Sequence, residues 1–399
     1  MVTHHSVRHR VLAGALLTAA ATITFTLTGG LAAGAATPTS QHDPDAKVRI
    51  NQIQTVGTHN SYHVENTEQE KDIRDAIRPN TGHGGEQYTH IPLQQQLSQQ
   101  KVRQVELDLV RDPDGGRFGN PLLRTLAGEG PWFPAVMNQP GIKILHEEDV
   151  DYRTNCLTFV SCLSQIRSWT ERHHGAIPIT ILLQFDDGPG PTFTPYTTQP
   201  LLPWTKDAMI EAEHEALSVF PREQIITPDD VRRPGLTLHQ SVLQDNWPTL
   251  AKARGKVLFG MDNDRDAYVA GNPNLEGRLF FTNTQNALEA DDAAFVIRDN
   301  PTTLKAQIQS LVQEGMLVRS RADTPEVQAM TGDTTRRDDA FASGAQFVST
   351  DYPVPGMAAR WGTDYFAALP GPLVAQCNPL NAPSFCQSDR LDLANNRDD

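Results

Sequence analysis

Residues 105–110 read Val105-Glu106-Leu107-Asp108-Leu109-Val110, and the fold turns on which way they face. Residues i and i+2 of a strand share a face. Glu106 and Asp108 therefore project together, and Val105, Leu107 and Leu109 project together on the other side. On a one-faced sheet the carboxylates meet water and the apolar set forms the core. In a closed barrel the apolar set packs under the surrounding helices, and the carboxylates point into the lumen.

Working outward, short β-branched runs recur at 53–57, 105–110, 142–145, 177–185, 256–261, 295–297, 316–318 and 347–349. Helix-like stretches lie between them, at 163–173, 206–219, 301–313 and 337–343. Eight strands alternating with helices predict an α/β fold, a TIM-type (β/α)8 barrel, with a doubly wound open sheet as the rival. Further extended runs at 225–227, 236–238 and 279–282 are extras, either rim pieces or strands that would change this count. The Pro/Gly/Asn-rich stretches 112–140 and 186–203 follow strands, which places them at the C-terminal rim, where barrels build active sites. The barrel is expected over 50–369, after a polar tail at 37–49 and before a disulfide-pinned tail at 370–399.

The chain has 399 residues, with 48 acidic against 34 basic and a formal charge of −14. That balance argues against a nucleic-acid binder, which needs a basic stripe, and against electrostatic adhesion to an anionic bilayer. Arg8 and Arg10 precede a mostly apolar stretch at 11–27 and small residues at 31–36. This pattern is that of a secretory signal peptide cleaved near Ala35 or Ala36, and it predicts an extracellular protein. Five threonines dilute the segment as a membrane span. Cys156 and Cys162 are close in sequence, as are Cys377 and Cys386. In an exported chain these predict disulfides, with the local pairing the simplest of three. The spacings do not match zinc knuckles. Nothing points to an oligomer, so a monomer is expected.

Four features fall at the ends of consecutive strands: Thr58-His59-Asn60-Ser61-Tyr62, then Glu106 with Asp108, then His146, then Gln184-Phe185-Asp186-Asp187. Two carboxylates aimed into a lumen are costly unless a cation neutralises them. With the Asn60 carbonyl they form an oxygen-only set suited to Ca²⁺ or Mg²⁺, and Ca²⁺ is the more available outside a cell. His59 and His146 then supply a general base and a general acid. Taken singly, His146 also reads as a satisfied core histidine, and His59-Asn60 as a turn. Other motifs fail: Val150 stands where H-E-x-x-H needs histidine, and Ala267 and Pro273 break an EF-hand loop begun at Asp262. No phosphate-binding glycine loop or G-x-S-x-G elbow is present. Trp132, Phe133, Phe193, Tyr196 and Trp204 sit in the long rim loops, as interface anchors or as loop packing.

The block Gly57-Thr58-His59-Asn60-Ser61-Tyr62, with Glu106-Leu107-Asp108 and His146, resembles the phosphatidylinositol-specific phospholipase C superfamily. It is most similar to the secreted, calcium-dependent bacterial branch. Val257-Leu258-Phe259-Gly260-Met261-Asp262, Leu317-Val318-Arg319-Ser320-Arg321-Ala322-Asp323 and Phe347-Val348-Ser349-Thr350-Asp351-Tyr352-Pro353 extend the likeness, which runs from Ile50 to about Trp361. The resemblance implies a TIM-type barrel that cleaves a phosphodiester: the inositol 2-hydroxyl attacks phosphorus, expels diacylglycerol and forms a cyclic inositol phosphodiester. It implies His59 and His146 as the catalytic pair, with Asn60, Glu106 and Asp108 holding Ca²⁺. The substrate would be a phosphoinositide lipid at a membrane surface or a soluble glycerophosphoinositol. Arg319 is a candidate contact for the phosphate or an inositol hydroxyl, or else a structural ion pair. Where eukaryotic relatives carry a glutamate ligand on strand four, this chain has Gln184: either its neutral amide binds Ca²⁺ with lower affinity, or Asp187 or Asp186 takes over. Two rivals stand beside this reading. One is a glycerophosphodiester phosphodiesterase, which usually has His-Arg-Gly where this chain has His59-Asn60-Ser61. The other is a non-catalytic secreted barrel binding a phosphoinositide head group or glycan, favoured by Gln184 alone.

Overall fold

The computed structural model describes residues 47–77, 86–130, 132, 134–190, 192–193 and 195–394. The expected signal peptide, nearly all of the 37–49 tail, and Phe133 lie outside the described residues. Eight strands form the wall: β1 (Ile53–Thr58), β2 (Gln104–Val110), β3 (Ile179–Phe185), β4 (Val257–Met261), β5 (Phe280–Phe281), β6 (Phe295–Ile297), β7 (Leu317–Arg321) and β8 (Phe347–Thr350). Neighbours pair in parallel from β1 through β5, from β6 through β8, and from β8 back to β1. The last seam, β5 to β6, is closed by one parallel bridge between Asn283 and Phe295. There the Ile297 N–H donates to the Asn283 side-chain oxygen at 3.1 Å.

The wall corrects the strand order read from sequence in two places. The 142–145 run is not a stave: Lys143–Ile144 pairs antiparallel with the end of β2, Ile144 opposite Leu109 and Lys143 opposite Val110. A parallel stave needs a crossover connection, and here the chain simply loops back over the strand it has just left. Buried Lys143 fixes that return, donating to the carbonyls of Gln139 and Gly141 and facing Asp112 at 3.2 Å. The missing stave is the run at 279–282, one of the extra runs left open between rim piece and strand. It is short because Ile225–Ile226 occupies the lower half of the same edge of β4, leaving only Phe259 and Gly260 to pair with Phe280 and Phe281. The 236–238 run leads into the helix Leu238–Val242.

Helices Lys206–Val219 and Pro301–Gln313 stand as expected. The 163–173 stretch starts earlier, as Phe159–Thr170, because Thr158 and Ser161 cap each other's backbone N–H groups. The 337–343 stretch is the helix Thr335–Ala342. Among the described residues, no helix is long and apolar enough to cross a membrane.

Val105, Leu107 and Leu109 are buried in one core with Leu163 and Ile166 of the covering helix. Glu106 and Asp108 face the lumen, as the barrel reading requires. At Gly57, a Cβ would lie 1.8 Å from Gln104 Oε1, so only glycine lets that lumen side chain cross β1.

The base of the barrel is closed by the end of the chain. Ala375–Cys377 pairs antiparallel with β1, and both disulfides, Cys156–Cys162 and Cys377–Cys386, form. Arg103, 2% exposed, donates from Nε to Asp392 at 2.8 Å, donates to the carbonyls of Leu97 and Val102, and lies over the Trp169 ring. Removing one member of such a pair leaves a buried charge uncompensated, at a cost of about 3–5 kcal/mol. Asp392→Ala is therefore expected to lower the unfolding free energy by that much in a urea titration. A loss below about 1 kcal/mol, the scale of an exposed pair, would show that the tail merely rests on the base.

Candidate active site

The turn after β1 assembles the site. His59 N–H donates to Thr350 O at 3.2 Å, which carries the turn across to β8. Ser61 clamps it to β2, its N–H donating to Glu106 O at 3.0 Å and its hydroxyl accepting from Glu106 N–H at 2.8 Å. Gln96 locks the turn from outside, bonding the Thr58 hydroxyl and Ser61 O. Asn60 takes the left-handed conformation, φ +40°, which asparagine tolerates better than most residues and which costs local strain. Tyr62 donates its hydroxyl to Asp108 Oδ2 at 2.7 Å. Each member of the His-Asn-Ser-Tyr block thus has a separate geometric task.

Both histidines are held by aspartates. His59 Nδ1 lies 2.9 Å from Asp351 Oδ1, and the other Asp351 oxygen accepts from Arg321 at 2.9 Å. His59 Nε2 is 3.9 Å from Glu106 Oε1, too far for a hydrogen bond. Burial, then the Arg321 charge, push the His59 pKa down to about 3 against the pull of Asp351. His146 Nδ1 lies 2.7 Å from Asp151 Oδ2. Burial opposes its charge, but the Asp151 hydrogen bond and the charges of Asp151, Asp108 and Glu147 raise its pKa to about 10. A cation on Asp108 would remove part of that support. Asp151 also faces His63 Nε2 at 2.9 Å, while His63 Nδ1 lies 3.0 Å from Tyr88 O. Both aspartates are held below the usual carboxylate range despite burial, Asp351 chiefly by His59 and Arg321, Asp151 chiefly by His63 and His146.

The lumen carboxylates are less well answered. Glu106 Oε2 accepts from Arg319 at 2.6 Å, yet burial raises the Glu106 pKa to about 7. Asp108 is fully buried, its Oδ1 has no hydrogen-bond partner, and burial and Asp186 push its pKa well up. Asn60 is 2% exposed and precedes Ser61, which bonds the backbone of Glu106. Unpartnered buried oxygens among like charges fit a hard divalent cation, and the Asn60, Glu106 and Asp108 set matches that chemistry. Glu86, His146 and Asp151 also bring one ligand atom each within 4.8 Å. There, however, Arg74 already pairs with Glu86, and His63 and His146 already share Asp151.

The structure brings His59, Asn60, Glu106, Asp108, His146 and Gln184 to one end of the barrel. His146 stands on the loop after Lys143–Ile144, above β2, and not at the end of a stave. Gln184 donates from its amide to Asp186 at 2.8 Å, and Asp187 is exposed. Arg319, 1% exposed, is fully engaged by Glu106, Asp299 and Ser349. Trp204 is packed edge-on against Phe185, and Trp132 lies tilted against Tyr152, so both belong to loop packing. Sequence reading missed Asp351, Asp151, Arg321, His63 and Glu148 as site residues. Arg321 was within reach, since it shares a strand face with Arg319, and Asp351 stands at the end of a strand already noted. Asp151 and Glu148 lay in an acidic run with no spacing signal.

Comparison with known proteins follows this geometry. The family described as "Phosphoinositide phospholipase C, Ca2+-dependent" matches residues 48–379. No curated protein matches the chain. Among solved structures, a calcium-dependent phosphoinositol-specific phospholipase C from Pseudomonas sp. is 15% identical with a TM-score of 0.48, the alignment covering 78% of this chain and 92% of that one. A Ca²⁺-dependent phosphatidylinositol-specific phospholipase C from Streptomyces antibioticus is 16% identical with a TM-score of 0.47, covering 77% and 95%. A glycerophosphoryl diester phosphodiesterase from Parabacteroides distasonis is 13% identical with a TM-score of 0.30, covering 76% and 84%. On the match across 48–379, the chain belongs to the Ca²⁺-dependent phosphoinositide phospholipase C family, enzymes of the phosphoric diester hydrolase type.

Proposed function

We propose that the chain cleaves phosphatidylinositol by attack of the inositol 2-hydroxyl on phosphorus, giving diacylglycerol and a cyclic inositol phosphate. The observation that carries this reading is the paired histidine geometry. Each histidine has Nδ1 on its own buried aspartate, and no described residue hydrogen-bonds either Nε2. An aspartate at Nδ1 selects the N–H there and leaves Nε2 for chemistry. His59, held neutral beside Arg321, takes the 2-hydroxyl proton at Nε2 as the new P–O bond forms. His146, held protonated among carboxylates, gives its Nε2 proton to the glycerol oxygen as the old P–O bond breaks. Two titrating groups whose surroundings push their pKa values apart are the mark of an acid–base pair. Ca²⁺, when bound by Asn60, Glu106 and Asp108, supplies positive charge for the phosphoryl oxygens and acidifies the attacking hydroxyl.

Arg319 serves by holding Glu106, which leaves Arg321, whose Nε has no hydrogen-bond partner, as the arginine for the phosphate. We place the reaction outside the cell, at a lipid surface, by a monomeric protein. The basic residues Arg8 and Arg10 before an apolar stretch, together with two disulfides, support export.

Phosphorus NMR of phosphatidylinositol vesicles with the purified protein is expected to show a cyclic inositol phosphate signal that disappears with excess chelator. Cleavage that survives chelation would remove the cation from the mechanism. Release of glycerol phosphate from a soluble glycerophosphodiester, with the lipid untouched, would make the chain a different phosphodiesterase. His59→Ala and His146→Ala are each expected to lower kcat about 10²–10⁴-fold, the usual weight of a general acid or base. Asp351→Asn is expected to lower kcat on the order of 10²-fold or more with little change in KM, because the amide no longer selects the Nδ1 tautomer. A KM effect without a kcat effect in these variants would place the histidines in binding alone.

A further inference from the structure

Resting on the acid role given to His146 above, we infer that a third histidine, His63, donates from both ring nitrogens and thereby positions the carboxylate that orients His146. His63 is fully buried and closes the block that follows β1. Its Nδ1 lies 3.0 Å from Tyr88 O. Its Nε2 lies 3.1 Å from Asp151 Oδ1 and 2.9 Å from Asp151 Oδ2. A carbonyl and a carboxylate only accept, whereas a neutral imidazole has one N–H to give. Two such partners on one ring call for an N–H on each nitrogen. Burial works against the charge of Asp151, but His63 and His146 hold its carboxyl below the usual range, so the accepting form faces His63.

Asp151 Oδ2 is shared between two rings. His146 Nδ1 reaches it at 2.7 Å, and the His63 and His146 rings stand edge to face, 86° apart in plane with centroids 6.1 Å apart. Two ring N–H groups therefore meet one carboxylate from different directions. The backbone fixes His63 itself: its N–H donates to Asn60 O at 2.8 Å, and its O accepts from His90 N–H at 3.0 Å. The Tyr88 ring packs against it, with centroids 4.6 Å apart. Asp151 N–H donates to Glu147 O at 2.7 Å, which holds the main chain of Asp151 but leaves its carboxylate to be oriented by side chains. Among the described residues, His63 is the side chain that bonds both oxygens.

The base side of the site is built in the same way. Asp351 gives one oxygen to His59 Nδ1 at 2.9 Å, and its other oxygen accepts from Arg321 at 2.9 Å. On the acid side His63 stands where that arginine stands on the base side. A carboxylate held by a second donor does not turn away from the imidazole it orients, so the ring keeps one arrangement toward the leaving oxygen. His63 acts through Asp151, which makes it a positioning residue.

The test is nitrogen–proton correlation spectroscopy of the imidazole rings in the full chain, paired with kinetics on phosphatidylinositol vesicles at the same pH. The parent is expected to show a proton on each His63 nitrogen, the two signals being assigned by their loss in the His63 variants. His63→Asn keeps a donor toward Tyr88 O and loses the one toward Asp151, whereas His63→Gln places an amide N–H near the lost Nε2. His63→Asn is expected to lower kcat about 10–100-fold with KM within about twofold of the parent. His63→Gln is expected to recover most of that loss. If His63→Asn loses its cooperative melt, His63→Leu takes its place, and the parent spectrum is independent of both. A bare nitrogen on His63 in the parent, a folded His63→Asn with the parental kcat, or a loss that His63→Gln does not relieve would each overturn the inference. A parent with both protons that leaves phosphatidylinositol intact keeps the hydrogen bonds and removes the acid role they serve. A parent that cleaves the lipid with one proton on His63 removes His63 alone.

Discussion

Negative charge buried in the barrel mouth is the constraint on which the rest of the site depends. Glu106, Asp108, Glu148, Asp186 and Asp262 bring carboxylates into a space walled by apolar strands, and burial raises the pKa of each. Low-dielectric surroundings make such charges expensive unless a cation is near. Among the described residues, the arginines that act on Glu106 and Asp262 stand on one side. Along β7, Arg319 meets Glu106 and Asp299, and Arg321 meets Asp351. Over β2 and β3, the charge of His146 acts on Asp108, Asp186 and Glu148 alike.

That asymmetry also separates the two histidines. His59 sits toward the arginines, where a second positive charge is repelled, and it is held neutral. His146 sits among the carboxylates, where a proton is retained. One distribution of charge therefore leaves one imidazole able to accept a proton and the other able to give one, without any difference in their own chemistry. The same carboxylates that favour a bound cation also charge the acid, so metal binding and the protonation of His146 are linked through Asp108.

The short block after β1 shows how little chain is needed to organise this. Gly57 clears space for Gln104, His59 reaches Asp351, Ser61 ties the turn to the backbone of Glu106, and Tyr62 orients Asp108. Strain at Asn60 is confined to one residue and fixed from both sides by hydrogen bonds to β8 and β2. A turn bonded in this way presents its side chains in one arrangement, which acid–base chemistry requires.

Alternation in Val105-Glu106-Leu107-Asp108 and the order of motifs along the chain were legible in the sequence, because both are local: strand period sets side-chain faces, and rim loops follow strands. Those signals singled out His59, Asn60, Glu106, Asp108 and His146 as candidates, and they predicted the barrel. Strand identity failed where local signals are weakest. Lys143–Ile144 has the composition of a stave but returns antiparallel on β2, and Phe280–Phe281 is a stave of two residues because Ile225–Ile226 fills the edge below it. Which aspartate orients which histidine, only the tertiary structure decided. Of the residues concerned, Asp151 stands on the loop of His146 within an acidic run that does not single it out, whereas Asp351 and His59 lie 292 residues apart. Barrel closure brings them together, and no spacing along the chain encodes that meeting.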